Sequence, residues 1–182
     1  TDGYYTGKAY TINGDAVFNM NGASVNSAYL VQNGAVLSKT LTAKVTDSKV
    51  DSLTGVSQGA KVDGDVSLTF DEISAVKDGS SANVYGASSA TILGNLDLKL
   101  KSQSGSEMSV YGTNNTNIKG NVNVSVDGSG AKFNTIYGMY GGMLGGRADI
   151  DIKNCAAGYT TCGMNSVSFS QTQPEEEGTY TY

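Results

Sequence analysis

The chain has 182 residues, 24 of them glycine and only one proline, and a net charge of −5 from 17 acidic and 12 basic side chains. That length suits one substantial domain, the absence of a basic cluster argues against a nucleic-acid partner, and one proline excludes collagen and polyproline linkers. With no histidine, histidine triads, histidine acid–base work and histidine metal sites are excluded as well.

Apolar runs reach only about four residues, too short for a transmembrane helix, so no membrane insertion is expected. The N-terminus lacks the charged-then-apolar layout of a signal peptide, which reads as a mature or excised chain. It opens instead on "YYTGKAYTI", where Tyr4, Tyr5 and Tyr10 make a short aromatic segment suited to pairing with a strand edge.

Six segments then follow one pattern: "INGDAVFNM", "SKTLTAKV", "VDGDVSLTF", "LGNLDLKL", "KGNVNVSV" and "GGRADIDI". Their centres, at Asp15, Thr40, Asp65, Asn95, Asn121 and Arg147, are 25, 25, 30, 26 and 26 residues apart, the period of a solenoid coil. Within each segment alternate positions are apolar, as in Leu96, Leu98, Leu100 and Val122, Val124, Val126, so each is a strand with one buried face. Of the interleaved positions only Val17 is not polar. A lone strand cannot bury that face, but coils stacked on one another bury it continuously. The expected fold is all-β: a parallel β-solenoid, a right-handed β-helix of six to seven coils over residues 1–172, with the clearest repeats at 83–153. An antiparallel β-sandwich is the alternative, and the 26-residue repeat argues against it.

A second motif keeps the same period: "VYGA" from Val84, "VYGT" from Val110 and "IYGM" from Ile136. The β-branched residues suit a second core face, and Gly86, Gly112 and Gly138 are expected to turn the chain. Tyr85, Tyr111 and Tyr137 then stack as an outward ladder, which with Tyr140 offers a flat platform for sugar rings or a partner protein. Cys155 and Cys162 enclose six residues in "CAAGYTTC", spacing that predicts a disulfide in an exported protein, against the alternative of two buried thiols with Cys162 in the Ile136 core column. Residues 173–182 form an acidic, then tyrosine-rich tail, whose Tyr180 and Tyr182 make a second segment suited to docking or assembly.

These residues resemble the long arrays of large surface and secreted proteins of anaerobic bacteria, in which a "VYGG"-like turn precedes a "V-x-G-[ND]-V-x-V-x-[VI]" strand. The match covers roughly Asn83 to Lys153; here the second glycine of the turn is missing. The resemblance implies an autotransporter-passenger-like or adhesin-like right-handed β-helix and a cell-surface or extracellular location. It names no ligand.

For catalysis the best candidates are Arg147, Asp149 and Asp151, alternate residues of one strand spanning roughly 13 Å, whose two carboxylates about 7 Å apart suit an inverting glycosidase. Their plainer reading is an exposed charged rung in which Arg147 neutralises a neighbour. Asp63, Asp65, Asp71 and Glu72 form an acidic group without any calcium-loop spacing. No catalytic residue, cofactor or metal is expected. The expected function is therefore that of a non-enzymatic extracellular stalk, adhesin or filament subunit whose partners are copies of itself or the rest of a larger surface protein, with a glycan as a further ligand; a carbohydrate-active β-helix enzyme or glycan-binding fragment is the alternative.

Overall fold

The structure, a computed structural model, describes residues 10–128 and 131–169, with the backbone alone for 156–162 and 169. It is a parallel β-solenoid of about six turns. Every strand pairing among the described residues is parallel, which removes the antiparallel sandwich.

Each turn of the coil has three faces. The first is a six-stranded sheet of the alternating segments: β2 (Ala16–Asn21), β5 (Leu41–Thr46), β8 (Val66–Ile73), β11 (Leu96–Ser102), β13 (Val122–Asp127) and β15 (Ala148–Lys153). The second is built from β3 (Ser24–Val31), β6 (Lys49–Ser57), β9 (Ser81–Ser88), β12 (Glu107–Ile118), β14 (Lys132–Leu144) and β16 (Ala156–Asn165). The third is short: β1 (Thr11–Ile12), β4 (Val36–Leu37), β7 (Lys61–Val62) and β10 (Thr91–Ile92), continued by the ends of β12 and β14 and by β17 (Ser168–Phe169). The 30-residue step between Asp65 and Asn95 comes from a longer corner, residues 74–80, between β8 and β9.

The register stacks like on like. Leu41, Val66, Leu96 and Val122 form one inward column, and Ala43, Leu68, Leu98 and Val124 the next; all are buried. Ala16, Phe18 and Met20 in the first rung, and Ala148, Ile150 and Ile152 in the last, are only partly buried; among the described residues each has a neighbouring rung on one side. Val17 points outward and is 70% exposed.

Gly86, Gly112 and Gly138 do not turn the chain. They lie inside strands, and none is among the glycines with positive φ. With Gly55 they form an inward column opposite Leu68, Leu98, Val124 and Ile150, where a Cβ would collide with those side chains or with the carbonyl of the next glycine in the column. Glycine is needed here for close approach of the two faces rather than for its conformational range.

The turns are made elsewhere. At the corner between the second and third faces Asn33, Gln58, Ser89, Asn115, Gly141 and Ser166 all adopt φ between 47 and 66°. The strand register places them one above another, so most of this left-handed column is filled by residues that pay a strain cost glycine avoids. A second glycine column, Gly64, Gly94, Gly120 and Gly146, closes the corner before the first face; there a Cβ would meet the backbone of the rung below.

Candidate functional site

The tyrosine ladder lies on the outer side of the second face. Tyr85 pairs in register with Tyr111, and Tyr111 with Tyr137. The rings stack, with centroids 4.9 and 5.5 Å apart and interplanar angles of 12 and 25°, because the rung spacing of about 4.8 Å is close to the distance at which aromatic rings lie offset on one another. Tyr140 packs edge-on against both Tyr111, at 6.4 Å, and Tyr137, at 5.1 Å. Burial pushes the Tyr85 and Tyr111 hydroxyls above the usual phenol range, with neighbouring tyrosines adding to the shift. The four tyrosines are thus brought together. Only Tyr140, 38% exposed, ranks with the exposed large hydrophobics. The same column begins further up, at Tyr29, and is interrupted by Thr54 before it reaches Tyr85. A column count back from Tyr85 through the register could have found Tyr29, but the repeat is too loose there for the sequence to supply that register.

Beside the ladder, the outer residues of the first face satisfy one another from rung to rung. The Asp15 carboxylate accepts the Thr40 backbone N–H at 3.0 Å, Asp65 that of Asn95 at 2.7 Å, the Asn95 side-chain carbonyl that of Asn121 at 2.8 Å, and the Asn121 side-chain carbonyl that of Arg147 at 2.9 Å. Charges alternate along another column, Asp71, Lys101, Asp127 and Lys153. Lys101 also pairs with Glu72, and that hydrogen bond is the main reason its ammonium is held above the ordinary lysine range. The acidic group is thereby divided: Asp65 serves the corner ladder, Asp71 and Glu72 face Lys101, and Asp63 pairs with Lys61.

Asp149 and Asp151 lie on the outward side of β15, and Arg147 immediately precedes the strand. Arg147 forms an ion pair with Asp149, while Asp151 stands in the column of Lys99 and Ser125.

Cys155 is a free thiol that donates to the Lys153 carbonyl, and burial raises its pKa. The side chain of Cys162 lies outside the described residues. The backbone between them is the extended strand β16, and seven extended residues cover roughly 23 Å against the about 4.4–6.8 Å that the Cα atoms of a disulfide require. Cys162 is in register with Tyr137, not with Ile136, because past the bulge near Thr135 the two strands pair at an offset of 25 residues rather than 26. Among the terminal tyrosines, Tyr10 is 69% exposed and its carbonyl accepts the Val36 N–H, which ties Tyr10 to its own coil. Tyr4, Tyr5, Tyr180 and Tyr182 lie outside the described residues, as does the 173–182 tail.

Comparison with protein-family models, with curated proteins and with solved structures finds no match to this chain.

Proposed function

We propose that this chain is a non-enzymatic structural and adhesive β-solenoid of the cell surface or extracellular space, a stalk or filament subunit that joins copies of itself head to tail through the ends of its coil. The observation that carries this reading is the state of the two end rungs. Their apolar triplets, Ala16, Phe18, Met20 and Ala148, Ile150, Ile152, are incompletely covered, whereas the equivalent residues of the four inner rungs are buried. A parallel rung added to β15 would complete the last triplet, and β2 of a second copy has the pattern to supply it, provided β1 of that copy gives way to β17, which already pairs with the end of β14: Ala148 would meet Ala16, Ile150 would meet Phe18, and Ile152 would meet Met20. The outer column agrees in charge, since Arg147 would stand next to Asp15 of the following copy. Among the described residues β2 and β15 are the edges of the first-face sheet, and a sheet edge that carries its own complement elsewhere on the molecule gives an unclosed, head-to-tail contact, which propagates into fibres. The resemblance of the "VYG" repeats to bacterial surface arrays supports the extracellular part of the reading.

Electron microscopy of the purified chain over a range of concentrations, with light scattering in parallel, tests it. Rods that lengthen with concentration are expected. A monomer at every concentration would refute assembly through the ends.

A further inference from the structure

The second face carries two outward columns side by side. One is Tyr29, Thr54, Tyr85, Tyr111 and Tyr137; the other, three residues further along each strand, is Ser57, Ser88, Asn114 and Tyr140. Over the later rungs the space between the columns is taken by Tyr140, a six-membered ring set edge-on against Tyr111 and Tyr137. Over the earlier rungs the second column holds only small polar side chains, and the same space is a groove of about 330 Å³. Thr54, 2% exposed, is its floor, Tyr29 and Tyr85 flank it, and Ser57, Ser88 and Asn114 line the opposite side. All nine residues that line it are uncharged.

Two polar atoms in this groove lack a partner. Ser57 is 3% exposed and its Oγ makes no hydrogen bond, and the buried Oδ1 of Asn114 makes none. Buried polar groups are nearly always paired, and leaving one unpaired costs more than the bond itself is worth. Both residues line the groove, and a side-chain rotation would turn either buried oxygen toward a bound molecule.

We propose that this groove binds one neutral pyranose ring of a glycan, with the C–H face of the sugar against the tyrosine rings and its hydroxyls bonded to Ser57 Oγ and Asn114 Oδ1. Tyr140 shows within the same molecule that a six-membered ring fits between these columns. A sugar ring has the same outline, an apolar face for Tyr85, and hydroxyl donors around its rim for the orphaned oxygens. The uncharged lining offers no counter-charge to an acidic sugar or a phosphate. This deepens the adhesive side of the function proposed above and rests on that reading; the groove lies on the flank of the coil, away from the end rungs.

The test is a nuclear magnetic resonance titration of the full chain with the methyl glycosides of glucose, galactose, mannose and N-acetylglucosamine. With at least one of them, saturable shifts are expected in the amides of Ser57, Ser88 and Asn114 and in the rings of Tyr29 and Tyr85. Thr54→Tyr raises a ring from the floor into the groove, at a column position that already accepts tyrosine on the following rungs, and should abolish binding. Ser57→Ala should keep the thermal midpoint, because the hydroxyl has no partner to lose, and should weaken binding about tenfold, the effect of one hydrogen bond. No shift with any of the four glycosides, or unchanged binding by a folded Thr54→Tyr chain and by Ser57→Ala, would overturn the proposal, and an aromatic peptide would then be the occupant to try. Light scattering on the same samples keeps the two readings apart: rods without sugar binding remove the groove alone, and sugar binding by a permanent monomer removes the end assembly alone.

Discussion

At Gly112 an added methyl group would run into the Gly138 carbonyl and the Val124 side chain, and neither is the free end of a flexible chain. Gly112→Ala should therefore destabilise the coil by about 1–3 kcal/mol or more, the range for overpacking a filled interior. Gly14→Ala is the control: nothing lies within 4 Å of a Cβ there and its φ is not positive, so urea denaturation should find it neutral or slightly stabilising. The contrast separates the two uses of glycine in this fold, and the sequence could not separate them. A glycine beside a strand ordinarily reads as a turn, and only the approach of the first face to the second shows that Gly112 is a spacing residue. The left-handed corner was hidden for the opposite reason, since Gln58 and Ser89 are not residues whose identity announces a positive φ.

Between residues on neighbouring rungs the dominant outward feature is the tyrosine ladder. Tyr111 touches three rings and Tyr85 has one stacked partner here. At about 0.5–1.5 kcal/mol for each aromatic pair, Tyr111→Ala should cost roughly 2–4 kcal/mol and Tyr85→Ala about a third as much, as read by denaturation. The ladder also sets an alkaline limit. Burial raises the folded pKa of Tyr85 and Tyr111, so the folded state holds its phenol protons after unfolded tyrosines have begun to ionise. Stability is therefore undiminished below the unfolded value of about 10 and falls as the pH rises from there toward the folded values. Lys101 acts in the same direction, because its raised pKa reflects a charged form favoured by Glu72 and Asp71, and that contribution is lost as the ammonium deprotonates. Unfolding free energies measured across alkaline pH should decline, and Tyr111→Phe should decline less steeply. The stacking of Tyr85, Tyr111 and Tyr137 was legible because the three sit in matching motifs 26 residues apart. Tyr29 was not, since Thr54 breaks its column, and Tyr140 was legible as a neighbour but not as a ring standing edge-on in a second column.

Across the whole molecule, stacking with alternating charge is a rule the ends could extend. If Arg147 meets Asp15 of the next copy, Arg147→Asp places two carboxylates side by side and should shorten or abolish rods in light scattering. Adding Asp15→Asn to that chain should restore part of the assembly, because it removes the repulsion while an asparagine carbonyl can still accept the Thr40 N–H. Raised salt should weaken assembly of the unmodified chain, since exposed charges are screened.

The sequence by itself determined the repeat, the buried triplets of the first face and the parallel stacking, because a two-residue alternation recurring every 25 to 30 residues can bury its apolar side only by laying each coil on the next. Only the tertiary structure decided what lies between elements that are distant in the chain: which glycines separate the faces, which residues bend the corners, that Cys155 and Cys162 are held apart by an extended strand, and that a groove opens where Thr54 interrupts the tyrosines. Those features depend on three faces meeting at particular distances and on the register in which their strands pair. A one-dimensional period carries neither.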